Sequence, residues 1–118
     1  TEVSSTSTAW ELKKQVKLVP FSSSYGLKPR YINVIARLRN DPGGTGNDAY
    51  LNVTLENLAG AIVAQFPVQS TTSASYALVS FTSPDLSGVE DGLYNVNVYM
   101  RVAAATGYND LIDFYWVE

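Results

Sequence analysis

The sequence predicts an all-β fold: an antiparallel two-sheet sandwich of about seven strands, immunoglobulin-like or jelly-roll in topology. Three observations carry this. Apolar residues recur at every second position along most of the chain, the period of an extended strand with one wet face. Clusters of Gly, Pro, Asn, Asp and Ser break that pattern at short intervals. No stretch follows the 3.6-residue period of a helix, so the strands have no helical crossovers and must pair antiparallel.

The first strand is read from Trp10, Leu12, Val16 and Leu18, which alternate with Glu11, Lys13, Gln15 and Lys17; only Lys14 interrupts. Pro20 and the run Ser22 to Gly26 end it. Ile32, Val34, Ala36 and Leu38 form the inward row of a second strand, which runs into the loop Asn40 to Asp48, where Pro42 and three glycines favour tight turning. Ala49, Leu51, Val53 and Leu55 give a third strand, and Asn57 to Gly60 turns it back into a fourth, Ile62 to Phe66, as a hairpin. Tyr76 to Thr82 is rich in strand formers. Tyr94, Val96, Val98, Met100 and Val102 alternate with polar neighbours, residues 103 to 110 read as a turn region, and Leu111 to Val117 is a closing strand dense in aromatics. The expected core is Leu12, Val16, Ile32, Val34, Leu38, Leu51, Val53, Leu55, Val96, Val98, Ile112 and Phe114. Residues 1–8, polar apart from Val3 and Ala-free, read as a flexible arm, and residues 9–118 as a single sandwich domain.

Composition removes several chemistries. With 118 residues, 46% of them hydrophobic and 16% charged, the chain has material for one core and is too apolar for disorder. It has no Cys and no His, hence no disulfide, no thiolate or imidazole catalyst and none of the usual zinc ligands. No apolar run is long enough for a membrane helix, and a soluble protein without membrane contact is expected. The net charge of −3 argues against nucleic acid. Charge is unevenly placed: seven of the eight basic side chains precede residue 40, against Glu2 and Glu11, whereas Arg101 faces nine carboxylates in the rest. Such a dipolar chain suits head-to-tail contacts between subunits.

Five carboxylates, Asp85, Glu90, Asp91, Asp110 and Asp113, are candidates for an acid/base pair, but most sit at turns, where Asp bends the chain, and no enzyme activity or cofactor is expected. Asp41 and Asp48, with Asn40 and Asn47, share one loop and are weak calcium candidates. Asn52-Val53-Thr54 matches the glycosylation sequon but falls within a strand. Tyr31, Tyr50 and Tyr99 have outward parity and Tyr108 lies in the turn region, so a glycan-stacking face built from these rings is the alternative reading.

The run Asp91-Gly92-Leu93-Tyr94-Asn95-Val96 resembles the start of the penultimate strand in immunoglobulin-like folds, with Val96 where antibody domains have Cys. In its short length, lack of Cys and His, Ser/Thr/Asn/Tyr-rich strands and final terminal strand, the sequence resembles the small accessory proteins of phage virions, capsid decoration (cement) proteins and fibre heads. The resemblance implies a non-catalytic, surface-decorating or oligomerising protein of the virion or the extracellular space, partnered by copies of itself or by capsid or filament subunits. Lys13, Lys14, Lys17, Phe114 and Trp116 are the expected assembly residues, with the N-terminal arm reaching an acidic neighbour and the last strand covered on both faces. A carbohydrate-binding or adhesin-like module is the alternative.

Overall fold

Alternation decides which face of a strand is buried, and pairing decides the strand order. The computed structural model describes residues 1–118. It has nine strands: β1 (Val3–Ser5), β2 (Glu11–Phe21), β3 (Tyr31–Asp41), β4 (Ala49–Asn57), β5 (Ile62–Gln65), β6 (Gln69–Thr71), β7 (Ala77–Thr82), β8 (Gly92–Val102) and β9 (Thr106–Val117). A single 3-10 turn spans Ser23–Tyr25. The seven expected strands are present, and the two additions, β1 and β6, are three residues each. No helix is long and apolar enough to cross a membrane.

All pairs are antiparallel, in two packed sheets ordered β1-β9-β3-β7 and β2-β8-β4-β5, with β6 beside β4. The pairing is nested: β1 with β9, β2 with β8, β3 with β7 and β4 with β5. That is the winding of a jelly roll, and it replaces the immunoglobulin-like alternative. The local motif behind that alternative is nevertheless formed, because the Tyr94 hydroxyl donates to the Glu90 carbonyl at 2.6 Å. Fixing a strand entry this way needs only four residues, so it occurs in either topology.

The core lies between the sheets. Ile32, Val34, Ala36 and Leu38 from β3 meet Leu51, Val53 and Leu55 from β4 and Val96, Val98, Met100 and Val102 from β8, all buried. Phe21, Phe66, Phe81 and Leu86 close its ends. Gly107 sits against this core so closely that a Cβ would stand 2.9 Å from Val102 Cγ1 and 3.1 Å from Ala49 Cβ.

Strand β2 departs from expectation. Trp10, Leu12, Val16 and Leu18 are exposed, while Lys13 and Lys14 are half-buried and Val19 and Phe21 fill the core. Register shifts between Leu12 and Lys14 and between Val16 and Val19 each add one residue to β2, so Leu12 faces outward opposite Tyr99, whereas Lys14 and Val16 and then Val19 and Phe21 face inward; Val16 is exposed because its stretch of edge is uncovered. Leu18 sits at φ 57° within the second bulge. Residues 1–8 also differ from a free arm, since Val3–Ser5 pair with Gly107–Asn109 of the same chain and Ser5 is buried. Strand β9 starts at Thr106, inside the expected turn region, which places Tyr108 on a strand.

Leu51→Ala is expected to lower unfolding free energy by about 2 to 5 kcal/mol, against a change within about 0.5 kcal/mol for Leu12→Ala. Urea denaturation of the two variants measures the difference directly.

Candidate functional site

Two surfaces carry the candidate residues: an open seam between β2 and β9, and the outer face of the β2-β8-β4-β5 sheet. The seam follows from pairing. Val16 stands opposite Val96 and so points between the sheets, yet Val96 is 0% exposed and Val16 is 42% exposed. From the other sheet Ile112, Phe114 and Trp116 stand opposite the buried Ala36, Val34 and Ile32 and point into the same space. Ile112 and Phe114 pack on the core; Trp116 is 50% exposed. The cause is a missing neighbour. Strand β1 accompanies β9 only over Gly107–Asn109, so beyond that point β9 has β3 on one side and an unpaired edge on the other.

A cleft of about 570 Å³ opens at this edge, lined by Val3, Lys13, Lys14, Asp110 and Ile112 among others. Further along, a hollow of about 140 Å³ lies between Val19, Pro20, Leu27, Lys28 and Trp116. The first bulge of β2 turns Lys14 inward, and its ammonium donates to Asn109 Oδ1 at 2.7 Å. Asn109 is fully buried and spends its amide on the Arg37 and Leu111 carbonyls, at 2.8 and 2.9 Å. Burial lowers the Lys14 pKa, and Asp110 opposes that shift. Asp110 itself takes a two-bond contact from Arg37, at 3.0 and 2.9 Å. Of the expected assembly residues, Lys13, Lys14, Phe114 and Trp116 therefore share one seam, while Lys17 lies exposed in the second bulge, outside both hollows.

The tyrosines of the alternative reading do not form one platform. Tyr50 and Tyr99 share the outer face of the five-stranded sheet, at the neighbouring pairs Tyr50–Arg101 and Asn52–Tyr99. Tyr31 and Tyr108 lie on the other sheet, at opposite ends of the β3–β9 ladder. Trp10, Arg101 and Glu56, none of them a site candidate from the sequence, complete the outer face. The Arg101 guanidinium stacks 4.0 Å from the Tyr50 ring and 5.0 Å from Trp10, and the two rings stand at 77°. Tyr108 is likewise covered by Arg39 at 3.9 Å. Glu56, buried on this face, accepts from the Thr54 and Tyr99 hydroxyls at 2.6 Å each. Burial acts to raise its carboxyl, but hydrogen bonds from Thr54, Tyr99 and Asn97 outweigh that and leave it lowered. The sequon residue Asn52 accepts from Gln65 on the same face.

The loop candidates for calcium are not assembled. No group of three or more acidic, His or Cys side chains is arranged to hold a metal, and Asp41 is exposed. The asparagines serve the loop itself: Asn40 accepts from the Gly43 amide and donates to the Ala104 carbonyl, and Asn47 donates to the Gly43 carbonyl. Among the other carboxylates, Asp85 pairs with Arg30, Asp91 with Lys28 and Ser23, and Asp110 with Arg37. Asp85 and Glu90 border a polar hollow of about 340 Å³ with Asn57 and Tyr94. Hydrogen bonds from Ser87, then Arg30, lower the Asp85 carboxyl.

No protein-family model matches the chain, and no curated protein matches it. Among solved structures, an arabinose-bound α-L-arabinofuranosidase matches with a TM-score of 0.58 and 14% identity over 92% of this chain. The match covers 18% of that structure's chain, so this chain spans under a fifth of its length. The likeness is one of fold.

A carboxyl lowered in the folded state stabilises the fold above its unfolded pKa, and the contribution is lost as pH falls through the folded value. Glu56→Gln is therefore expected to be less stable than the parent near neutral pH, with the gap closing on acidification. Urea unfolding at about pH 7 and about pH 3 tests the sign.

Proposed function

We propose that this protein is a non-catalytic assembly protein, a jelly-roll sandwich that joins other protein subunits through the β2–β9 seam. The observation that carries the reading is the inward-facing apolar row at an unpaired strand edge, where Phe114 is partly buried and Val16 and Trp116 are left exposed on either side of it. Edges of this kind are aggregation hazards unless a partner covers them. Such a surface suits a capsid decoration or fibre protein at the virion surface or in the extracellular space. Of the five carboxylates that could form an acid/base pair, Asp85, Asp91 and Asp110 are each held by a basic side chain, Arg30, Lys28 and Arg37, which supports a non-catalytic role.

Glycan binding at Tyr50 and Tyr99 is the second reading, favoured by the amide, hydroxyl and carboxylate groups of Asn52, Thr54 and Glu56 beside them. Arg101 already covers the Tyr50 ring, which leaves less open aromatic face for a sugar to stack on.

A photo-crosslinking side chain introduced at Val16, and separately at Asn52, tests the choice in cells that make the protein with its natural partners. Protein adducts are expected from position 16 and not from position 52. Lys13→Glu with Lys17→Glu should reduce the position-16 adduct in a salt-dependent way. Adducts from position 52 alone would move the contact to the outer sheet face and overturn the assembly reading of the seam.

A further inference from the structure

Strands at a sheet edge usually carry something that stops another strand from adding to them: a charge, a proline, a bulge or very short length. Here β2 has two bulges and Lys13, Lys14 and Lys17, β9 has Asp110 and Asp113, β5 has a bulge, and β1 and β6 are three residues each. Strand β7 has none of these. It is six residues long, pairs with β3 without a register shift, and holds neither charge nor proline. It ends the order β1-β9-β3-β7, so its free side lies on the flank opposite the β2–β9 seam.

Pairing fixes which groups that side presents. Successive residues of an antiparallel ladder turn their N–H and C=O to opposite neighbours. The Ser83 amide donates to the Ile32 carbonyl of β3 at 2.9 Å, so Phe81, Val79 and Ala77, at two-residue steps from it, also serve β3. Leu78, Ser80 and Thr82 direct their ladder groups away from the sheet, where no other part of the chain bonds them. Their side chains lie exposed on the outer face, Leu78 at 67%.

The sequence around β7 says what meets this flank. No charged side chain occurs between Glu56 and Asp85, a stretch that contains β5, β6 and β7 with their connections. Phe66 and Phe81, with ring centroids 6.4 Å apart, hold the end of β5 against β7, so these uncharged segments form one side of the sandwich. Copies that each carry a net charge of −3 repel on approach. A two-fold contact is stricter still, because a side chain near the axis meets its own counterpart, and any charge there meets its like. The uncharged flank is where two copies can meet without that cost. A charged partner would find no complement on it.

We infer that β7 is a self-pairing strand, to which β7 of a second copy of this chain adds antiparallel about a two-fold axis at Ser80, joining two four-stranded sheets into one. The register follows from the groups available. An axis at Ser80 sets Leu78 against Thr82 of the second copy and Ser80 against its own counterpart, so every outward N–H and C=O of the strand finds a partner, and Leu78 packs beside the facing Thr82. The contact uses nothing from the seam, and the two stand or fall separately.

Sedimentation over a concentration series tests this, with Ser80→Lys and Ser80→Glu as variants at an exposed position. The parent is expected to form a dimer that dissociates on dilution. Each variant places like charges side by side at the axis and should weaken the dimer at least about tenfold, with the parent's circular dichroism retained. Mixed in equal amounts, the two should pair with each other in a salt-dependent way. Val16→Glu should leave the dimer unchanged. In a chain without cysteine, Ser80→Cys should be joined to a second copy by a short bis-maleimide, whereas Lys17→Cys, on the opposite flank, should not. A parent that stays monomeric at about 1 mM would overturn self-pairing, as would a dimer that survives both charge substitutions or equal cross-linking from positions 17 and 80. Folded Lys and Glu variants that stay monomeric when mixed would overturn the axis at Ser80. Loss of the dimer with Val16→Glu alone would overturn the assignment to β7 and move the contact to the seam.

Discussion

The open edge depends on one buried side chain. Asn109 sits at the point where β9 gains an extra residue against β3, and its three hydrogen bonds tie that irregularity to both sheets, two to carbonyls of its own sheet and one from Lys14 of the other. A buried amide is tolerable only when its bonds are made. Because they are made here, the shift in register is fixed rather than sliding. The second half of β9 then has its apolar row aimed between the sheets and its ladder groups at the edge. Neither a disulfide nor a metal cluster backs this arrangement; packing and pairing hold it.

Much of the fold could be read from residues alone. The inward rows of β3, β4 and β8 are strict alternations, and every one of those side chains is buried. Strand β2 was not legible in the same way. Lys14, the one residue that interrupts its alternation, marks a bulge, and a bulge reverses the faces of everything after it. Jelly-roll order was not legible either, since it depends on which distant strands pair and local pattern is silent about that. At the site, the two-sided apolarity of Leu111 to Val117 was visible in the sequence, but that β1 pairs with β9 only over Gly107–Asn109 depends on a distant pairing that no local pattern reveals. The Trp10–Arg101–Tyr50 stack was hidden by the same bulge, because Trp10 reads as one apolar row with Val16 and the extra residue between them puts the two on opposite faces.

The two outer faces and the seam differ in how far their polar and aromatic groups are already engaged. On the faces, arginines lie over Tyr50 and Tyr108, Glu2 and Arg39 attend Tyr76, and Glu56 gathers hydroxyl donors. These groups pair within the chain, and a ligand there would have to displace existing contacts. The seam keeps unpaired backbone and half-covered apolar side chains, so a partner gains contacts without breaking others. The uneven charge of the sequence also resolves locally, because Arg30, Arg37 and Lys28 find Asp85, Asp110 and Asp91 across strands.

The length of the β3–β9 ladder has a mechanical meaning. The two strands pair from Tyr31 to Asp41 in a body 49 Å long and 25 by 22 Å across. A pull that draws β9 along its own direction loads the ladder's hydrogen bonds in shear, where they share the force. A pull at right angles opens them one pair at a time from the end. The domain should therefore resist tension along the strands far better than tension across them.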